Sequence, residues 1–110
     1  MDESRPSWQV DECPPWCAGG HHELDHPDDR VHRSSWAAVP VVARRSWFEG
    51  EVLRRTAEGA EFEVGLSRID GEQDVWLYVG SGPALSIEVT AESAERLVVA
   101  MGELLAARSR

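Results

Sequence analysis

The sequence has 110 residues, which is enough for one domain with one modest hydrophobic core. Hydrophobic residues make up 42% and charged residues 28%, a globular composition, and no apolar run approaches the ~18 residues that a membrane span needs. The net charge of −9 disfavours binding to nucleic-acid phosphates and to anionic membranes. We therefore expect a cation and another protein as partners, and a monomer or a homodimer.

The first eight residues lack the basic start and the apolar stretch of a secretory signal. This predicts a cytoplasmic protein, in which cysteines stay reduced. All eleven basic residues are arginine, a bias that is typical of a GC-rich bacterial genome.

Three segments follow one another along the chain. Residues 1–12 are polar and without periodicity, which predicts a flexible N-terminal tail. Residues 13–34 contain too few apolar side chains to build a core, so something other than hydrophobic burial must order them. Residues 35–110 carry the patterns of a sheet and a helix, and we expect them to form one domain with the preceding segment.

The first half of the sheet region has two predicted strands and one ambiguous stretch between them. Residues 36–43 are apolar and β-branched around a proline, which indicates an edge strand. Residues 47–56 fit a helix or a bulged strand equally well. Residues 61–69 alternate between apolar and polar side chains, the clearest strand pattern in the chain. Asp70-Gly71 then indicates a hairpin turn.

The second half of the region predicts two more strands and a helix. We expect strands over 75–79 and 85–89, with a glycine-rich turn over 80–83 between them. Thr90 is a good helix N-cap, and the apolar residues after it follow the i, i+3, i+4, i+7 spacing of one buried face. These residues are Ala94, Leu97, Val98, Met101, Leu104 and Leu105. The fold class is therefore α+β, with an antiparallel meander of three to five strands packed by one C-terminal helix.

Every cysteine and histidine of the chain falls within twenty positions. They are Cys13, Cys17, His21, His22, His26 and His32. Zinc prefers a tetrahedral shell of thiolates and imidazoles. Two prolines stiffen the loop between the cysteines, and Gly19-Gly20 lets the chain reverse toward the same ion. The cluster predicts one structural Zn²⁺ in a zinc knuckle. Two alternatives stay open, namely reduced thiols without a ligand and a Cys13–Cys17 disulfide.

One subset of the cluster imitates a zinc peptidase. His22-Glu-Leu-Asp-His26 satisfies the His-Glu-x-x-His pattern, in which two histidines share a helical face and Glu23 would act as general base. A glycine pair precedes the pattern and Pro27 follows it, so a helix here could hardly exceed two turns. We therefore expect no enzyme. A small zinc-dependent hydrolase remains one alternative hypothesis, and a nucleic-acid-binding zinc knuckle the other.

The Cys/His segment resembles an uncharacterised family of small actinobacterial proteins, a domain of unknown function. That family carries a Cys-Pro-x-Trp-Cys-x₃-His stretch, which the residues from Cys13 to His21 match. It also carries a later histidine followed closely by serine, which His32-Arg-Ser34 matches. A C-terminal helix ends the domain in the family, and the run from Leu85 to Ala94 is similar to its strand-to-helix entry.

The resemblance implies a ligand set and no activity. The implied metal ligands are Cys13, Cys17, His21 and His32. His22 and His26 are extra to the family pattern, so either of them in place of His21 stays open as the third ligand.

Overall fold

A computed structural model of the chain describes residues 5–82 and 85–109. A short 3-10 turn over Pro27–Asp29 precedes five strands and one helix. The strands are β1 (Val31–Arg33), β2 (Ala37–Glu49), β3 (Val52–Ile69), β4 (Trp76–Ser81) and β5 (Leu85–Thr90), and the helix is α1 (Ala91–Ala107). The predicted α+β class is confirmed. In the described part of the chain, no helix is long and apolar enough to cross a membrane.

The long strand β3 organises an antiparallel sheet. One edge of β3 pairs with β1 near its end and with β2 along most of its length, while the other edge pairs with β4 over 63–67 only. β5 pairs with β4. Residues 39–62 therefore form a two-stranded hairpin that projects beyond the other strands, and we call it the hairpin arm. The stretch 47–56, ambiguous in the sequence, is the tip of this arm, with a turn around Gly50.

A break between β1 and β2 lets both strands share one edge of β3. Ser34 keeps the pairing across the break, because its N–H donates to the Leu66 carbonyl at 3.0 Å and its hydroxyl accepts from the Leu66 N–H at 2.8 Å. Trp36 then folds over Gly65, and its ring meets Tyr78 edge-on with 5.0 Å between centroids. The strand predicted over 36–43 thus becomes the start of β2.

The helix begins as the sequence predicts but is not covered as expected. The Thr90 hydroxyl accepts the Ser93 N–H, which caps the first turn. α1 contacts β4 and β5. Only Ala94 of the predicted apolar face is buried, and all helical residues after it are exposed. The predicted burial of this face is therefore wrong for a single chain, because α1 contacts β4 and β5 while its apolar residues after Ala94 stay about half exposed or more. The predicted turn over 80–83 lies partly outside the described residues.

Replacing Gly65 by alanine is expected to destabilise the fold. A Cβ at this position would lie 2.7 Å from the Trp36 ring, so the ring must leave its place against Tyr78. Overpacking of this kind costs about 1–3 kcal/mol of unfolding free energy. Gly59→Ala is the matched control, since nothing lies within 4 Å of a Cβ there. Urea unfolding followed by tryptophan fluorescence measures both, and equal stabilities of the two variants would contradict the Trp36 contact.

Candidate metal centre

Local turns bring the Cys/His segment onto the sheet. The Cys17 N–H donates to the Pro14 carbonyl at 2.9 Å, which folds the two cysteines into one tight loop. The Ala18 N–H donates to the Arg33 carbonyl at 2.8 Å and ties this loop to the end of β1. The following Gly19 and Gly20 have φ angles of 80° and 81°, a backbone conformation that glycine adopts without strain. The chain therefore reverses before His21.

Four ligand atoms converge as a result. The Sγ atoms of the two cysteines and one ring nitrogen from each of two histidines all lie within 4.8 Å of one another. They belong to Cys13, Cys17, His21 and His32. Cys17 Sγ is 3.5 Å from His21 Nε2 and 3.7 Å from His32 Nδ1. For a tetrahedral zinc with ordinary bond lengths, a sulfur and a nitrogen ligand stand about 3.6 Å apart. The residues thus have the chemistry and the spacing of a Cys₂His₂ metal site.

His32 is held in place by a buried carboxylate. Its Nε2 is 2.9 Å from Asp70 Oδ1, and the two side chains are 0% and 4% exposed. A carboxylate on one ring nitrogen leaves the other nitrogen as the lone-pair donor, the arrangement that commonly orients a metal-binding histidine. His32 lies in β1 and Asp70 directly follows β3. The antiparallel pairing of Val31 with Ile69 therefore brings His32 and Asp70 together.

The N-terminal residues close over this pair. Asp70 accepts the Val10 N–H at 2.7 Å and the Asp11 N–H at 3.2 Å, while the Asp11 carboxylate accepts the Gly71 N–H at 2.8 Å. One carboxylate oxygen of Asp11, one of Asp70 and a ring nitrogen of His32 also lie within 4.8 Å of one another. Trp8 meets the His21 ring edge-on at 5.5 Å. The backbone N–H groups of Val10 and Asp11 thus connect the N-terminal residues to a buried carboxylate at the end of the sheet.

The protonation of the site follows from this crowding. Desolvation raises the pKa of the Cys13 thiol, and the neighbouring Cys17 raises it further. Desolvation also lowers the pKa of His21, with a further contribution from His32. Burial alone would raise the pKa of Asp70, but the hydrogen bonds from Val10, His32 and Asp11 outweigh it and lower the pKa. Asp70 is therefore held as the anion that a neighbouring imidazole N–H needs.

The peptidase-like pattern does not form a peptidase geometry. Residues 21–26 contain a turn and no helix. His22 and His26 are exposed and are not part of the cluster, and His26 Nδ1 accepts the Asp28 N–H at 3.1 Å. The Glu23 carboxylate accepts from the N–H and the hydroxyl of Ser7, which lower its pKa. Glu23 thus fastens the N-terminal segment in this structure.

Sequence reasoning missed the two acidic residues around His32. Asp70 was interpreted only as part of an Asp-Gly turn, and Asp11 as part of a tail. No local pattern identifies either residue, because Asp70 is 38 positions from His32 in the chain. The available signal is the position of Asp70 directly after β3, because β3 pairs with β1, the strand that carries His32.

Asp70→Asn is expected to weaken metal binding by about 10- to 100-fold, the usual effect of losing a carboxylate behind a ligating histidine. The neutral amide no longer favours the His32 tautomer that presents Nδ1 to the metal. Asp74→Asn removes a nearby exposed charge and is the control. Competition with a chromophoric zinc chelator gives both affinities. If the two variants bind equally well, the Asp70–His32 contact does not support the site.

The comparisons with known proteins concern the whole chain. Neither a curated protein nor a solved structure matches it significantly. The sequence profile of one family, described as "Domain of unknown function (DUF6907)", matches residues 2–110. This match covers nearly the full length and agrees with the resemblance seen in the Cys/His segment. The chain therefore belongs to the DUF6907 family, a domain of unknown function.

Proposed function

We propose that this protein is a zinc-binding module in which one structural Zn²⁺ is held by two thiolates and two imidazoles. The observation that carries the proposal is the convergence of four ligand atoms within 4.8 Å. The ligands would be Cys13, Cys17, His21 and His32. Thiolates together with imidazoles favour zinc over magnesium or calcium, which prefer oxygen ligands. When bound, the ion would supply a cross-link between a loop and a strand.

A structural role fits the donor set better than a catalytic one. Four protein ligands complete a tetrahedral shell, whereas catalytic zinc keeps one position for water or substrate. The residues before β1 have few apolar contacts of their own, so a metal can replace the missing core there. Structural zinc contributes about 10–16 kcal/mol to the folding of small metal-binding segments. We infer that the ion fixes residues 5–33 against the end of the sheet.

The biological role that follows is a non-catalytic one, in protein interaction or regulation. Zinc ligands that stabilise a segment leave its outer surface free for contacts. The net charge of −9 argues against nucleic acid as the target, because phosphate binding depends on basic side chains. Reduced thiols are needed for the site, which supports a cytoplasmic location. The lysine-free, arginine-rich composition supports an actinobacterial origin.

Two adjacent histidines offer a direct test of the ligand set. His21→Ala removes a ligand atom and is expected to lower the zinc content of the purified protein well below one ion per chain. His22→Ala changes the next residue, whose ring lies outside the cluster, and is expected to keep one ion. Elemental analysis with X-ray absorption counts both the ions and the sulfur and nitrogen ligands. If His21→Ala retains zinc and His22→Ala loses it, the third ligand is His22 and not His21.

Removal of the metal tests whether its role is structural. Cys13→Ser, or chelation of the wild-type protein, is expected to release the ion and to unfold the residues before β1 while strands β2 to β5 persist. Hydrogen exchange should then show fast amides at Val10 and Ala18, whose N–H groups bond to Asp70 and Arg33, and unchanged protection in β4. Stoichiometric zinc in Cys13→Ser, or unchanged protection before β1 after chelation, would contradict the proposal.

A further inference from the structure

A single chain leaves an unusual amount of apolar surface uncovered. Ala94 is the one buried hydrophobic residue within 5–82 and 85–109. The accessible surface is 8588 Å², against about 6,100 Å² for a folded monomer of this mass. The radius of gyration is 18.6 Å, against about 13 Å for a compact chain of this length. The excess of about 2,500 Å² is at the upper end of the roughly 1,000–2,500 Å² that one subunit of an obligate homodimer buries.

The hairpin arm accounts for part of this surface. Only β2 pairs with β3 along the arm, and an isolated two-stranded hairpin is marginally stable in water. Register and alternation put Val39, Val41, Trp47 and Phe62 on one face of the arm. That face continues the apolar side of the other strands, which carries Val64, Leu66, Leu77, Val79 and Ile87. Val39, Trp47 and Ile87 on this surface are exposed and the others are part-buried, so the described residues cover it only in part.

The helix presents the second uncovered surface. Its apolar stripe consists of Leu97, Val98, Met101, Leu104 and Leu105, and all five are exposed. A helix of 17 residues is marginal in water unless its apolar face is packed. The sequence therefore encodes a buried face on α1, while residues 5–82 and 85–109 of a single chain leave about half or more of each side chain on it exposed.

The two surfaces are both apolar and comparable in length. The arm is about 35 Å long at the usual rise of a strand, and α1 is about 25 Å long. The arm, residues 39–62, holds four arginines and four glutamates and has no net charge. The charged side chains of α1 lie outside its apolar stripe. The match between arm and helix is therefore one of apolar surface and not of charge.

We propose that the protein is a symmetric homodimer in which α1 of each copy lies on the apolar face of the other copy's hairpin arm. A two-fold axis covers the apolar face of the arm and the apolar stripe of α1 in both chains at once. No such surface then remains for the association of further chains. None of the residues of this interface is a proposed metal ligand, so the proposal does not depend on the zinc site.

The first test is the mass of the purified protein in sedimentation equilibrium. Twice the 12.2 kDa mass of the chain is expected, and a monomer at all concentrations would overturn the proposal.

Two neighbouring valines of α1 then locate the interface. Val98 and Val99 are 64% and 60% exposed in one chain, but only Val98 lies on the stripe. Val98→Arg is expected to halve the mass, and Val99→Arg to leave it unchanged. Dimers of both variants would overturn the helix assignment.

A second pair tests the arm. Val39 and Val42 lie on the same strand but on opposite faces, because they are an odd number of residues apart. Val39→Arg is expected to give a monomer, and Val42→Arg, at a position 81% exposed, a dimer. The reverse result would place the interface on the opposite face and overturn the proposal as stated.

A variant that fails to fold still leaves a decisive measurement. The midpoint of thermal unfolding of the wild-type protein should rise with chain concentration if folding and dimerisation are coupled, and stay constant for a monomer. A constant midpoint would overturn the proposal. The dimer mass should also persist after zinc chelation, which separates this proposal from the metal site. A dimer that dissociates on chelation would move the interface to the Cys/His segment and contradict the arm–helix contact.

Discussion

The buried contact between His32 and Asp70 is the interaction on which the functional end of the molecule depends. It joins β1 to the turn after β3, and it is the point where the N-terminal residues, the cysteine loop and the sheet meet. A fully buried imidazole needs a partner for each nitrogen. Asp70 satisfies Nε2, and Nδ1 is thereby directed at the sulfur of Cys17. Backbone N–H groups from the N-terminal segment keep the carboxylate charged, so the whole arrangement is mutually supporting.

Little hydrophobic burial accompanies this polar centre, and that shortage explains the rest of the architecture. A chain of this size normally buries a substantial apolar core, yet here the arm and the helix project away from the sheet. Two different substitutes for a core are proposed. A metal ion would stabilise the segment before β1, and a second copy would cover the arm and α1. The two depend on separate residues, so either can be correct without the other.

Local patterns predicted much of the fold and most of the candidate ligand cluster. The alternation over 61–69 and the cap at Thr90 are local signals, and both elements form where expected. The sequence leaves residues 47–56, the tip of the arm, open between a helix and a bulged strand, because the apolar residues there fit the helical period and the strand period equally well. The contacts of Val10 and Asp11 with Asp70 have no counterpart in the sequence analysis, because Asp70 is about sixty positions away. Long-range hydrogen bonds leave no periodic trace in a sequence.

The sequence by itself determined the composition of the cluster, the α+β class and the apolar stripe of the helix, since each follows from residue type and spacing within a few turns of the chain. The family resemblance implied His21 and His32 and left His22 or His26 open in place of His21, and the tertiary structure decided which of these histidines lies beside the cysteines. His21 and His32 enter the cluster, whereas His22 and His26 face outward. The physical reason is strand pairing, which positions His32 from β1 and lets the glycine pair return His21 to the same point. Tertiary structure also showed that the helix stripe stays exposed among the residues that the structure describes.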